Sequence, residues 1–498
     1  MNLSKIKNSF LEFNWSYILI TVIFFYHFCT LAISPFPWYD EIWYCGITNS
    51  FLENGRFFGT SAPLFNNGAE ILTYGPVYFV LTSVVIKIFG WGAFQFRIVS
   101  FLFGIGVLFV SYLILNMFQK NKKALVFFLV IIASDYTLGQ NIHSGRMDLV
   151  AIFFALLSFF FLLSETKKLF PLYAGLAAGL SVLTTPRVAF VFLGLLLIYF
   201  FRQNKSFKTK IYEIFIWGAT IVMLYFCWSL FAHGGLEATY NYYNSSFDSS
   251  TNTGSIFQQF IGFQFGFSRF HYHLYLLLLL LPLYYFFFLK KNIPTIFWIS
   301  IIVVVIFELV VVDTGMYSIY IIPFFYLAIF SVIYTERTKP FINNTIFIAL
   351  LAFNLFIFAF KSVSIIADYP LRQSDYVDNL VKEVIPQNSK VVANDMYFYA
   401  IKKNNSLFQT IEYGATGKQR FDYHKDDWKF DYLIINKSFL EERNALCNYY
   451  IDSANLEFVR EIDYNFQRKS LTLYFSELFF DGKVTYSYNG VIYKRKKE

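Results

Sequence analysis

"PVYFVLTSVVIKIFG", residues 76 to 90, is the stretch whose reading sets the topology of the whole chain. It is apolar enough to be taken for a membrane span, yet it has only 15 residues and carries Lys87. A bilayer core of about 30 Å needs about 20 apolar residues per helix. The later polar gaps decide the matter. Lys120, Lys122 and Lys123 fill one gap, Lys167 and Lys168 another, then Arg202, Lys205, Lys208 and Lys210, then Lys290 and Lys291, then Arg337 and Lys339. Such clusters follow every second apolar run, and basic gaps mark the cytoplasmic side. If residues 76 to 90 crossed the membrane, all of these clusters would move outside. As an interfacial or re-entrant helix the stretch leaves them inside, together with Lys5 and Lys7.

The composition agrees. Of 498 residues, 56% are hydrophobic, 22% aromatic and 15% charged, with mean hydropathy +0.48. Soluble domains carry about 25% charged residues. The predicted fold is mainly α, a polytopic helical bundle of about 11 to 12 transmembrane helices. Spans fall near residues 17–36, 97–117, 124–141, 148–164, 169–184, 188–201, 211–231, 272–289, 294–312, 317–334 and 342–360. The net charge of +8 sits in the short gaps, which argues against nucleic acid as a partner. Cys29, Cys45, Cys227 and Cys447 are scattered and suggest neither a disulfide framework nor a zinc site. The first run is long for a signal sequence and has no small-residue cleavage site, so it reads as an uncleaved helix.

This topology gives an outward face made of the first outer loop (37–96), "NIHSGRMD" (141–148), "TTPR" (184–187), the loop 233–270 and the turn near Asp313. After Lys361 the composition shifts. "DNLVKEVIPQNSKVVANDMYFYAIKKNN" (378–405) reads helix, turn, strand, helix, and "FDYLIINK" (430–437) reads as a further strand. Residues 1–361 are thus expected to form the membrane domain and 362–498 a small extracytoplasmic α/β domain. The protein is expected in the plasma (inner) membrane, multi-pass, with a cytoplasmic N-terminus.

The groups able to do chemistry gather on that outer face. "WYDEIWYC" (38–45) places Asp40 and Glu41 among aromatic rings. An acid pair there can favour the start of a helix through its dipole. It can also supply a partly desolvated carboxylate base. His143, Arg146 and Asp148 open another span, where charges need a partner or a water-filled cavity. Arg146 and Asp148 can neutralise each other. Arg97, Arg187 and Arg269 lie at other outward positions, and converging guanidiniums suit a phosphate. His271 and His273, two apart, do not share a helix face and make a poor metal pair.

In order, "YDE", "YGPVYFVLTSVVIKIFGWGAFQFRIVSFLFGIG", "HSGRMDLVAIFFALLS", "AGLAAGLSVLTTPRVAFVFLGLLL" and "YSIYIIPFFYLAIF" resemble the bacterial GT-C glycosyltransferases. That superfamily contains protein O-mannosyltransferases and lipid A aminoarabinose transferases. The resemblance covers about residues 15 to 335. It implies a catalytic carboxylate at Asp40, with Glu41 beside it. It implies donor-phosphate binding by Arg97, Arg146, Arg187 and Arg269, with Tyr74, His143, Asp148, His271 and Tyr320 in support. The family's His-Pro-Pro or Glu-Lys-Pro motif is replaced by Tyr74-Gly75-Pro76, so its metal ligand or lysine is missing. Its turn lysine is replaced by a shifted Arg187. No cofactor is certain from the sequence, and a divalent metal stays possible.

The implied reaction moves a sugar from a polyprenyl-phosphate donor to a lipid, glycan or protein acceptor at the outer face, among membrane lipids. A phosphate leaving group needs no proton, so one base and cationic clamps suffice, whereas a glycosidase needs two flanking carboxyls. A transporter or flippase would instead place polar breaks near mid-membrane in matched halves. A non-catalytic scaffold would leave the acid pair and the arginines without a common purpose.

Overall fold

The computed structural model describes residues 3–61, 74–164, 169–201, 206–232, 235–237, 239–240, 295–310, 315–333, 340–411, 430–442, 455–464 and 487–496. The expected span at 272–289, with Arg269 and His271 near it, lies outside the described residues. The chain is a membrane protein built as a helical bundle that carries a small sheet near its C-terminus.

The bundle begins with α1 (Leu3–Thr30), α2 (Tyr39–Asn54), α3 (Val77–Phe89) and α4 (Ala93–Phe118). It continues through α5 (Lys122–Ala133), α6 (Tyr136–His143), α7 (Asp148–Ser164), α8 (Phe170–Val182), α9 (Ala189–Phe201) and α10 (Phe207–Phe231). Then come α11 (Thr295–Val310), α12 (Ile322–Val332) and α13 (Pro340–Ala367). The helix α3 has 13 residues, about 20 Å of rise, too short for a bilayer core. Of the described helices, α4, α10 and residues 343–367 of α13 are long and apolar enough to cross alone. Several other runs form helices shorter than a bilayer requires, with 13 residues in each of α8 and α9. Short 3-10 turns, Pro186–Val188 before α9 and Gly315–Tyr320 before α12, extend two of them.

The run expected as one straight span at 124–141 is instead bent by 50° between α5 and α6. Asp135 makes the break. Its Oδ1 accepts hydrogen bonds from the amides of Thr137 and Leu138 at 2.8 and 3.1 Å, an N-cap, while Oδ2 accepts from the Tyr326 hydroxyl at 2.7 Å. A buried carboxylate is tolerable here because each oxygen has a donor.

Five strands form a sheet of order β2-β1-β3-β5-β4: β1 (Lys390–Ala393), β2 (Leu407–Thr410), β3 (Tyr432–Asn436), β4 (Leu456–Ile462) and β5 (Gly490–Arg495). The strand β1 pairs in parallel with β2 and β3, with Val392 opposite Gln409 and Leu433. The strand β5 runs antiparallel to β3 and β4, with Ile434 opposite Ile492. Ahead of the sheet, α14 (Asp375–Val384) buries Val377, Leu380 and Val381 on one face. The helix α15 (Phe398–Lys403) makes the crossover from β1 to β2.

Among the described residues this unit packs continuously against the segment 37–96. One hydrophobic cluster contains Ile42, Tyr44, Phe57, Tyr78 and Phe96 together with Val377, Val391, Tyr397, Phe398 and Ile492. Trp91 meets Phe398 edge-on at 5.5 Å, Phe36 meets Tyr488 at 5.1 Å, and the Thr410 amide donates to the Ser61 carbonyl at 2.9 Å. The acid-bearing helix α2 lies within this shared core.

Candidate active site

Adjacent residues on a helix point about 100° apart, and the two acids at the start of α2 diverge accordingly. Glu41 turns inward. Arg97 on α4 clasps it with Nε to Oε1 at 2.8 Å and Nη2 to Oε2 at 2.6 Å, and Nη1 donates to the Leu31 carbonyl at 2.8 Å. Both side chains are fully buried. The Tyr399 hydroxyl on α15 donates to Glu41 Oε1 at 2.8 Å.

Asp40 turns the other way, towards Arg146 in the turn between α6 and α7. That turn is fixed by its backbone. Gly145 has φ +61°, where side chains are strained, and a Cβ there would lie 2.8 Å from Glu41 Cγ. The Tyr78 hydroxyl donates to the Gly145 carbonyl at 2.7 Å and Ser100 Oγ to the Arg146 carbonyl at 2.8 Å. The guanidinium is then shared: Nη1 pairs with Asp40 Oδ2, and Nε donates to Asp148 Oδ2 at 2.7 Å. Asp148 Oδ1 accepts from the Tyr320 hydroxyl at 2.6 Å. Arg146 Nη2 is buried and has no hydrogen-bond partner among the described residues.

A second guanidinium approaches through an aromatic ring. Arg146 Cζ lies 4.9 Å and Arg187 Cζ 4.4 Å from the centre of the Tyr317 ring, and Arg187 Nη1 also donates to the Tyr317 hydroxyl. Tyr74 reaches the same region because Gly75 lets its chain touch Leu183, in the turn that ends α8 ahead of Arg187. A Cβ at Gly75 would fall 2.0 Å from the Leu183 carbonyl oxygen. The Tyr74 ring meets that of Tyr44 edge-on at 5.6 Å.

These groups leave one carboxylate at the surface of the cluster. The Asp40 side chain is 29% exposed, against 1% for Asp148. Burial pushes the Asp40 carboxyl up from the ordinary carboxylate value, the Arg146 charge pulls it down, and the Asp148 charge pushes it up again. Asp40 is paired through Oδ2 only, so Oδ1 is free of protein donors among the described residues. Arg187 makes no ion pair with a carboxylate among them, and with Arg146 it brings the formal charge of the two acids and two guanidiniums to zero.

No protein-family model and no curated protein matches the chain in sequence. Solved structures do match in fold. ArnT from Cupriavidus metallidurans bound to undecaprenyl phosphate superposes with TM-score 0.59 at 12% identity, covering 96% of this chain and 98% of its own. The same protein in the apo state gives TM-score 0.58, also at 12% identity, covering 96% and 97%. The chain has the GT-C fold. The fold expected from the ordered motifs of about residues 15 to 335 is thus the fold observed, and the structural match extends over 96% of the chain.

Within this GT-C fold the expected site residues separate into two groups. Asp40, Arg146, Asp148, Tyr320, Arg187 and Tyr74 come together. Glu41 and Arg97, expected as acid and phosphate clamp, bind each other instead, and every nitrogen of Arg97 is engaged. His143 also turns away: Nδ1 lies 2.7 Å from the Ser34 carbonyl and Nε2 2.9 Å from His27 Nδ1. A carbonyl only accepts, so His143 Nδ1 carries the proton. Arg269 and His271 lie outside the described residues. Tyr317, Tyr44 and Tyr399 are additions. The Tyr317 signal was present in "YSIY", because residues three apart in a 3-10 turn eclipse and put both tyrosines on one side. Nothing in the sequence pointed to Tyr399, more than 350 positions after Glu41.

The described donors do not suit a metal. No three His, Cys, Asp or Glu side chains converge among the described residues, and Arg146 occupies an oxygen of both Asp40 and Asp148.

Proposed function

We propose that this protein is a membrane glycosyltransferase that moves a sugar from a polyprenyl-phosphate carrier to an acceptor at the outer face of the membrane. The observation that carries the reading is the Arg146 guanidinium, fixed by two carboxylates, with a buried Nη2 free of hydrogen-bond partners among the described residues and Arg187 beside it on the Tyr317 ring. Fixed donors that meet a developing phosphate charge are the principal device such a transfer needs. The binding of undecaprenyl phosphate by ArnT, which has the same fold, supports the choice of carrier.

In this reading an acceptor hydroxyl attacks the anomeric carbon, the carbon–oxygen bond to phosphate breaks, and the polyprenyl phosphate departs with the electron pair. Asp40 Oδ1 takes the hydroxyl proton, and Arg146 and Arg187 balance the phosphate charge. Asp148 and Tyr320 hold Arg146 in place. Comparison of lipid-linked sugars in cells with and without the protein tests the reading. A polyprenyl-phosphate sugar should accumulate when the protein is absent. An unchanged lipid-linked pool would remove the reading.

A further inference from the structure

We propose that the C-terminal unit takes part in the site through Tyr399, a positioning residue that sets the Asp40–Arg146 pair by way of Glu41. The inference rests on the phosphate reading of Arg146 given above.

The hydrogen bonds run in one direction. Tyr399 gives its proton to Glu41 Oε1 at 2.8 Å, so the contact of 3.4 Å between Cys45 Sγ and the Tyr399 oxygen has the thiol as donor. Glu41 Oε1 also accepts from Arg97 Nε at 2.8 Å, and Oε2 accepts from Arg97 Nη2 at 2.6 Å. The carboxylate is therefore held by donors from α4 and α15 while its backbone belongs to α2. Two consequences reach the site. Asp40 directly precedes Glu41 on α2, so anchoring Glu41 anchors the start of the helix from which Asp40 projects. Gly145, whose space is filled by Glu41 Cγ and Cδ, at 2.8 and 3.1 Å from a Cβ placed there, is the next residue to Arg146. One buried side chain thus backs both members of the pair. Its hold on the C-terminal unit is the Tyr399 hydroxyl, within a helix seated on Trp91 and Phe408 through Phe398.

Purified full-length protein in nanodiscs, titrated with undecaprenyl phosphate, tests this. Tyr399→Phe keeps the ring and removes only the hydroxyl, and should weaken binding roughly tenfold, as for a displaced positioning group. Glu41→Gln puts an amide against Arg97 and should weaken it more. In an Arg146→Ala background Tyr399→Phe should add nothing, since the group it positions is gone. A purely structural tyrosine would lower the melting temperature and leave these binding ratios alone. Wild-type binding that is lost in Arg146→Ala but unchanged in both Tyr399→Phe and Glu41→Gln overturns the positioning role and leaves the phosphate reading standing. Failure of the wild type to bind overturns both. Should Tyr399→Phe fail to fold, Glu41→Gln and its combination with Arg146→Ala decide by the same criteria.

Discussion

The Tyr320 hydroxyl donates to Asp148 Oδ1 at 2.6 Å while Arg146 Nε donates to Oδ2 of the same carboxylate at 2.7 Å. Tyr320 lies at the end of the 3-10 turn before α12, and Asp148 begins α7. The bond therefore ties two elements far apart in sequence and stops Asp148 rotating away from the guanidinium. Tyr320→Phe should free that rotation. A hydrogen bond to a charged group contributes about 1.5–3 kcal/mol. If half of that is felt at Arg146, undecaprenyl phosphate binding weakens by roughly 4- to 12-fold. Isothermal titration of the purified variant checks it, and unchanged affinity would show that Asp148 holds Arg146 without help.

Arg97 makes the contrasting forecast. Removing one member of a fully buried pair leaves the other charge unpaired, which costs about 3–5 kcal/mol. Arg97→Ala should therefore lower the thermal unfolding temperature and the yield of detergent-extracted protein. Arg146→Ala strands the buried Asp148 carboxylate and should also unfold below the wild-type temperature, so the contrast is read in binding: Arg146→Ala should bind undecaprenyl phosphate weakly even at temperatures where it stays folded. Normal stability in Arg97→Ala would return Arg97 to the list of phosphate ligands.

Side of the membrane is tested by labelling single cysteines on a background without native cysteines. Ser206, in a basic gap and capping α10, should react only after the membrane is permeabilised. Ser438, after β3 in the C-terminal unit, should react from outside. Outside labelling at Ser206 would invert the orientation.

The same residues show how much was legible from sequence. Apolar run length and the spacing of lysines placed the described helices, and run length also foretold that α3 is short, because those signals are local. Run length failed at Asp135, where one buried acid with three donors bends an otherwise apolar run. At the site, residue type identified the acids and arginines but not their partners. The sequence favoured Asp40 over Glu41 as the base, but it did not show that Glu41 pairs with Arg97 and Asp40 with Arg146. Tyr399 was invisible because its role depends on packing between α15 and α2, which no local pattern encodes.

The pH dependence of turnover follows from Asp40. Burial raises its pKa, with Arg146 opposing and Asp148 reinforcing the rise. A base must be ionised to take a proton, so kcat/KM should fall as pH drops through the Asp40 pKa, above the ordinary carboxylate value of about 3.9. Arg146→Ala removes a charge that favours ionisation, so the acid limb of its residual activity should move to higher pH. A limb that moves down or stays fixed in the variant would assign it to another group.

Asp40→Asn isolates the chemical step. Asparagine keeps the size of the side chain and its carbonyl can still accept from Arg146 Nη1, so the guanidinium should stay in place. It cannot take the acceptor's proton. Turnover should fall by roughly 10²- to 10⁴-fold, the usual contribution of a positioned base. Undecaprenyl phosphate affinity should change little, because the proposed reading assigns the phosphate to Arg146 and Arg187. Glu41→Gln should differ in kind, weakening binding and stability together through the buried pair with Arg97. An acid that served only to start α2 through the helix dipole would be worth a few tenths of a kcal/mol, and its loss would leave turnover near normal. Turnover of Asp40→Asn within a few-fold of wild type, with donor bound normally, would remove Asp40 as the base.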